Sequence, residues 1–168
     1  MSKSNKTGFT LIELLIVIAI IAIISSIVYI ALDPLTRFRD ARDSRRWADM
    51  HSILNALRIN QVDRGGQYLP DVASMEVNKI YMVTNESVIT GCADYNANCD
   101  ADVSGNTYCI NLHQLLLDGY LGKVPVSPSA SVEWSDYATG YTLERDNNNI
   151  LVVRSCESEN SVEIKLAR

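Results

Sequence analysis

The apolar residues of this chain are gathered near one end. From Leu14 to Ile24 there is no polar side chain, and the run continues through Ser25 and Ser26 to Leu32. Phe9 to Leu32 makes 24 residues with Glu13 as the one charge, and Asp33 follows directly. A hydrocarbon core of about 30 Å takes about 20 helical residues, so this stretch can span a membrane. Pro34 lacks the donor that the preceding turn requires and should kink or loosen the helix. Beyond it the pattern changes. Trp47, Met50, Leu54 and Leu57 recur at spacings of three and four with Ile53 beside them, which predicts an amphipathic helix packed on a sheet. Gly65-Gly66 ends that pattern.

The remainder reads as short elements. Lys79–Thr84 and Tyr108–Ile110 alternate as strands, and Leu112–Leu117 reads as a short helix closed by Gly119. Tyr137–Arg145, Ile150–Ser155 and Val162–Leu166 look like an antiparallel meander, with Asp146–Asn149 as the turn between the first two. The expected fold class is α+β, a long N-terminal helix packed on a small C-terminal antiparallel sheet.

Composition sharpens this picture in two places. A mean hydropathy of +0.01 averages an apolar end with a polar remainder. Net charge is −5; without residues 1–8, which carry Lys3 and Lys6, 13 basic and 20 acidic side chains leave −7. Such a balance argues against general binding to a phosphate backbone. The first eight residues are polar with two lysines, and short basic flanks stay on the cytoplasmic side, so the C-terminal bulk should lie outside. A secretory signal has a shorter apolar core closed by an A-x-A-like site, which is missing here. A plain membrane anchor leaves Glu13 unexplained, since a carboxylate within a span usually marks function or a partner. A cut between Gly8 and Phe9 would place a new α-amino group four positions before Glu13. In a helical stack, the amine of one subunit could then meet the carboxylate of its neighbour.

The string Lys6-Thr7-Gly8-Phe9-Thr10-Leu11-Ile12-Glu13-Leu14 resembles the leader-cleavage motif of type IV pilins and type II secretion pseudopilins. The resemblance implies a pilin-like fold, cleavage by a prepilin peptidase after Gly8, N-methylation of Phe9, and Glu13 as the assembly glutamate. It divides the chain into a leader (1–8), a membrane-spanning and filament-core helix (9–32), an amphipathic continuation (33–64) and an extracytoplasmic globular domain (65–168). It further implies an inner-membrane precursor that an assembly ATPase and platform protein move into a homo-oligomeric helical filament at the cell surface. A pseudopilin of a secretion system, a minor tip subunit that binds DNA or a surface, and a simple anchored domain stay open as alternatives. Many type IV pilins carry a proline where this chain has Ile30. Gly119-Tyr120-Leu121, Val124-Pro125 and Ser127-Pro128 are similar to a loop region of major pseudopilins.

Four cysteines, Cys92, Cys99, Cys109 and Cys156, lie beyond the apolar run, without C-x-x-C spacing; outside the cytoplasm they read as two disulfides. A polar loop pinned by a Cys92–Cys99 bridge leaves Cys109 with Cys156, although three connectivities exist. Asp94, Asn96, Asn98, Asp100 and Asp102 set oxygen side chains at every second residue, as hard cations require. An EF-hand is excluded, because Cys99 stands at its glycine and Gly105 at its bidentate glutamate. A looser calcium site is the lesser reading, made because secretion pseudopilins bind calcium in this region of the fold. Arg37, Arg39, Arg42, Arg45 and Arg46 alternate with Asp40, Asp43 and Asp49, which reads as a solvated helix face with pairs four apart, Arg39–Asp43 and Arg45–Asp49. The second reading is contact with lipid headgroups or neighbouring subunits, and the third is direct DNA binding by the cluster. His51 and His113 lack partners at nucleophile or metal spacing and read as structural or surface residues. There is no G-x-S-x-G, H-E-x-x-H or phosphate-binding glycine loop, so the chain reads as the substrate of an enzyme and not as one.

Overall fold

The computed structural model describes residues 8–87, 90–129, 132–160 and 163–167. Lys6, Thr7 and the expected strand start at Val162 fall outside them. The chain divides into two compact units between Phe38 and Arg39.

In the first unit, α1 runs from Leu11 to Leu32 without a buried residue. Its many Ile and Val residues lower helix propensity slightly in water. In hydrocarbon, however, a helix is the local way to satisfy every backbone N–H and C=O. The helix stops at Asp33, whose backbone is left-handed (φ 35°, ψ 74°). The following Pro34 disfavours helical geometry at Asp33, and Asp tolerates the left-handed region better than most residues. Pro34 then opens α2 (Pro34–Asp63) at the position where a missing N–H costs nothing. The Asp33 carboxylate accepts from Thr36 Oγ1 at 2.7 Å, and its carbonyl from Arg37 N at 3.3 Å.

In the second unit, α2 from Arg39 onward buries one stripe against a five-stranded sheet of order β2-β1-β3-β4-β5. The strands are β1 (Ile80–Thr84), β2 (Cys109–Asn111), β3 (Tyr141–Arg145), β4 (Leu151–Ser155) and β5 (Lys165–Ala167). Short helices α3 (Pro70–Ala73) and α4 (His113–Leu117) and a 3₁₀ helix at Cys92–Asn98 fill the connections. The core joins Met50, Ile53, Leu54 and Leu57 of α2 to Val83, Leu143, Val153 and Ile164. The expected meander is present as β3-β4-β5, and Asp146 Oδ1 closes its first turn by accepting from Asn148 N and Ile150 N. One pair departs from the antiparallel expectation: β1 and β2 run parallel. The long connection between them makes that crossover feasible.

Gly65 and Gly66 end α2 as expected. Gly66 N donates to Gln61 O at 2.8 Å and Gly65 N to Val62 O at 3.0 Å, a Schellman motif with Gly65 in the left-handed position at φ 68°. The stripe on α2 differs from the one read in sequence. Met50, Ile53, Leu54 and Leu57 are buried as expected, but Trp47 is 40% exposed, and the buried line extends instead through Asp43, Arg46 and Asn60.

The cysteines form two disulfides, but not the pairs favoured from sequence. Cys92 joins Cys109 and Cys99 joins Cys156. Cys92 opens the 3₁₀ helix and Cys99 caps it. A rise of about 2 Å per residue puts them roughly 14 Å apart, well beyond the reach of about 7 Å that a bridge allows.

Candidate assembly segment and the polar clasp

Phe9 is 75% exposed, and among the described residues an added side chain at Gly8 would meet nothing within 4 Å. Thr10 is the N-cap of α1, and Glu13, three residues on, completes a capping box. Glu13 Oε2 accepts from Thr10 N at 2.9 Å and from Thr10 Oγ1 at 2.7 Å, while Thr10 Oγ1 accepts from Glu13 N at 3.3 Å. The carboxylate is thereby turned back toward the helix start, the end where an α-amine on Phe9 would stand. An anion also suits the positive pole of a helix N-terminus. The large side chains of α1 are exposed all round, from Leu11 at 81% through Val17 at 44% to Leu32 at 57%. Among the described residues this is the helix long and apolar enough to cross a membrane.

The arginine cluster is only partly the solvated face expected of it. Arg46 is fully buried, and each of its five N–H donors has a partner. Nη1 donates to Asp43 Oδ1 at 2.6 Å and Glu159 Oε1 at 3.0 Å; Nη2 donates to Pro128 O at 2.6 Å and Glu157 Oε2 at 3.3 Å; Nε donates to Ser127 Oγ at 3.3 Å. Asp43 therefore faces Arg46 at spacing three, not Arg39 at spacing four, and also accepts from the backbone N–H of Glu159 and Asn160. Arg42 forms a two-pronged pair with Glu159, and this pair, then Arg46, holds the Glu159 carboxyl below the usual carboxylate range. Arg45–Asp49 is present at 3.9 Å with Arg45 largely exposed. Asp49 also accepts from the buried Tyr141 hydroxyl at 2.7 Å, and burial followed by this bond pushes the Tyr141 phenol upward. The acidic partners from outside α2, Glu157 and Glu159, lie where sequence periodicity carries no signal. The available hint was an arginine at the stripe position one turn before Met50.

Of the five oxygen side chains at 94–102, Asp94, Asn96 and Asn98 lie on the 3₁₀ helix and Asp100 and Asp102 follow it. Both ends of the Asn96 amide are engaged with the Val103 backbone, at 2.9 and 3.1 Å. Asp100 N donates to Cys156 O, and burial above all raises the Asp100 carboxyl. Asp94, Asp100 and Asp102 do not converge, since no three His, Cys, Asp or Glu side chains cluster as metal ligands among the described residues. Asn98 ends the 3₁₀ helix. His51 is exposed, and His113 Nδ1 lies 3.1 Å from Asn85 Oδ1.

Residues 3–29 match the model of the prokaryotic N-terminal methylation motif, the signature of type IV pilin and pseudopilin precursors. No curated protein and no solved structure matches the chain at a significant level.

Proposed function

We propose that the chain is the precursor of a structural subunit of a type IV pilus-like filament, anchored in the inner membrane through α1 until assembly. A prepilin peptidase cuts between Gly8 and Phe9 and methylates the new amine of Phe9. The apolar helix then leaves lipid for a stack of sister helices, and the globular unit coats the filament. The reading is carried by one conjunction: the methylation motif over residues 3–29 leads into a helix that is apolar on all sides and bears one charge, Glu13. In a lipid-like stack, that carboxylate needs a cation. The amine of a neighbouring subunit supplies it, and Thr10 keeps the acid facing the helix start beforehand.

Mass spectrometry of the mature protein from sheared cell-surface filaments is expected to give an N-terminal methylated Phe9. Filaments that retain Met1 would sink the assignment. Glu13→Ala is expected to be cleaved normally yet assemble poorly, and abundant filaments from that variant would refute the amine–carboxylate pairing.

A further inference from the structure

Within the globular unit, the C-terminal end of α2, the loop after it and the β3–β4 turn border an open cleft of about 550 Å³. Its lining includes Arg64, Arg145, Gln61, Gln67, Tyr68 and Asn149, and contains no carboxylate among the described residues. That is unusual for a domain in which acids outnumber bases. Neither arginine has an ion pair among the described residues. Arg145 donates through Nη2 to the Met75 carbonyl, while its buried Nε lacks a hydrogen-bond partner among the described residues. Arg64 stands exposed just past α2. Of the nearby acids, Asp63 accepts from the Tyr120 hydroxyl and Asp146 closes its own turn, while Asp71 and Asp118 line an adjoining pocket that Arg64 also borders, with Asp118 accepting from Gln114 Nε2. The Schellman bonds occupy the Gln61 and Val62 carbonyls, so these acceptors of the helix end are already taken.

We propose that this cleft is a binding site for a small carboxylate-bearing ligand of the acidic-saccharide class. Two guanidinium groups without counter-ions supply planar donors matched to an oxyanion. The amides of Gln67 and Asn149 and the ring of Tyr68 offer neutral hydrogen bonds and a flat surface to a hydroxylated ring. A volume of this size holds a mono- or disaccharide. The net charge of −7 on the chain after residue 8 repels a polyanion, which disfavours nucleic acid as the occupant. The inference stands apart from filament assembly, because the cleft belongs wholly to the globular unit.

The test is a ligand-observed NMR titration of the full chain in detergent micelles at low salt, with glucuronate, glucose and inorganic phosphate as probes. Glucuronate is expected to bind saturably and at least about tenfold more tightly than glucose. Arg64→Gln, an exposed change that spares the core, is expected to weaken glucuronate by about tenfold. Arg145→Gln should do the same if its circular dichroism stays native, and Arg58→Gln, exposed on α2, should leave binding unchanged. Equal affinity for glucuronate and glucose, wild-type affinity in Arg64→Gln, or no saturable binding would overturn the proposal. Tighter binding of phosphate than of glucuronate would overturn its carboxylate assignment.

Discussion

Arg46 Nη2 reaches Glu157 Oε2 across 3.3 Å, linking the buried stripe of α2 to the residue directly after Cys156. Glu157 also accepts from Trp134 Nε1 at 3.2 Å and from Ser129 Oγ at 3.1 Å. One guanidinium thus fastens the start of the packed helix to the segment that leads into the last strand. The Cys99–Cys156 bridge ties the same segment to the 3₁₀ helix.

Removing that guanidinium leaves buried carboxylates without a cation, a loss of about 3–5 kcal/mol. Arg46→Met should therefore lower the urea midpoint of the full chain in detergent strongly. Arg46→Lys should recover little, because three donors cannot satisfy the five acceptors that Arg46 now reaches. Wild-type stability in Arg46→Met would show that the network is dispensable.

Acid should loosen the same clasp. Arg42 and then Arg46 depress the Glu159 carboxyl, and Lys165 and Arg154 depress that of Glu163. A carboxyl lowered in the folded state gives its full stabilisation above its unfolded pKa of about 4.3 and loses it as pH falls through the folded value. Asp100, raised by burial, works in the opposite sense. Thermal melting should be flat from about pH 7 to 5 and fall below about pH 4.3. Glu159→Gln should be less stable at neutral pH and show a shallower fall. An equal fall in the variant would remove Glu159 from the account.

Gly140 is fixed by space as well as by backbone. Its φ is 77°, and an added Cβ would stand 2.7 Å from both Ser127 Cβ and Trp134 Cδ2. Left-handed strain and overpacking together should make Gly140→Ala cost about 2–4 kcal/mol. Gly122→Ala, which meets nothing within 4 Å, should be close to neutral. Chemical denaturation of the two variants side by side decides the matter.

The two disulfides should differ in worth. Cys99–Cys156 closes a sequence separation of 57 and Cys92–Cys109 one of 17. Chain entropy assigns about 4 kcal/mol to the longer loop and about 3 kcal/mol to the shorter. Non-reducing peptide maps should contain Cys92–Cys109 and Cys99–Cys156 fragments. A Cys92–Cys99 fragment would contradict the connectivity.

The elements most legible in sequence are those set by local pattern. The helix end at Gly65-Gly66, the Asp146 turn, the break beside Pro34 and the alternation of β4 each follow from neighbours in the chain. What escaped was decided by distant partners. Arg46 looks like a solvent-facing charge until residues 157–160 bring carboxylates to it, and Trp47 looks like core until Arg46 takes the inward position. The cysteine pairing turned on the 92–98 segment being a 3₁₀ helix and not a tight loop, a difference that polar residues at every second position conceal. At the amino terminus, Thr10 and Glu13 stand at capping-box spacing in the bare sequence, and the structure adds the direction in which the acid is turned.

Because α1 has no preferred side, it has no preferred azimuth. Acyl tails and sister helices would satisfy its surface alike, so a move from one to the other would leave the area hidden from water nearly unchanged. Oily contact of that kind can slide or rotate at little cost. Depth and register along the rod would then have to be written by its single acid, in the way one notch sets the height of an otherwise smooth shaft.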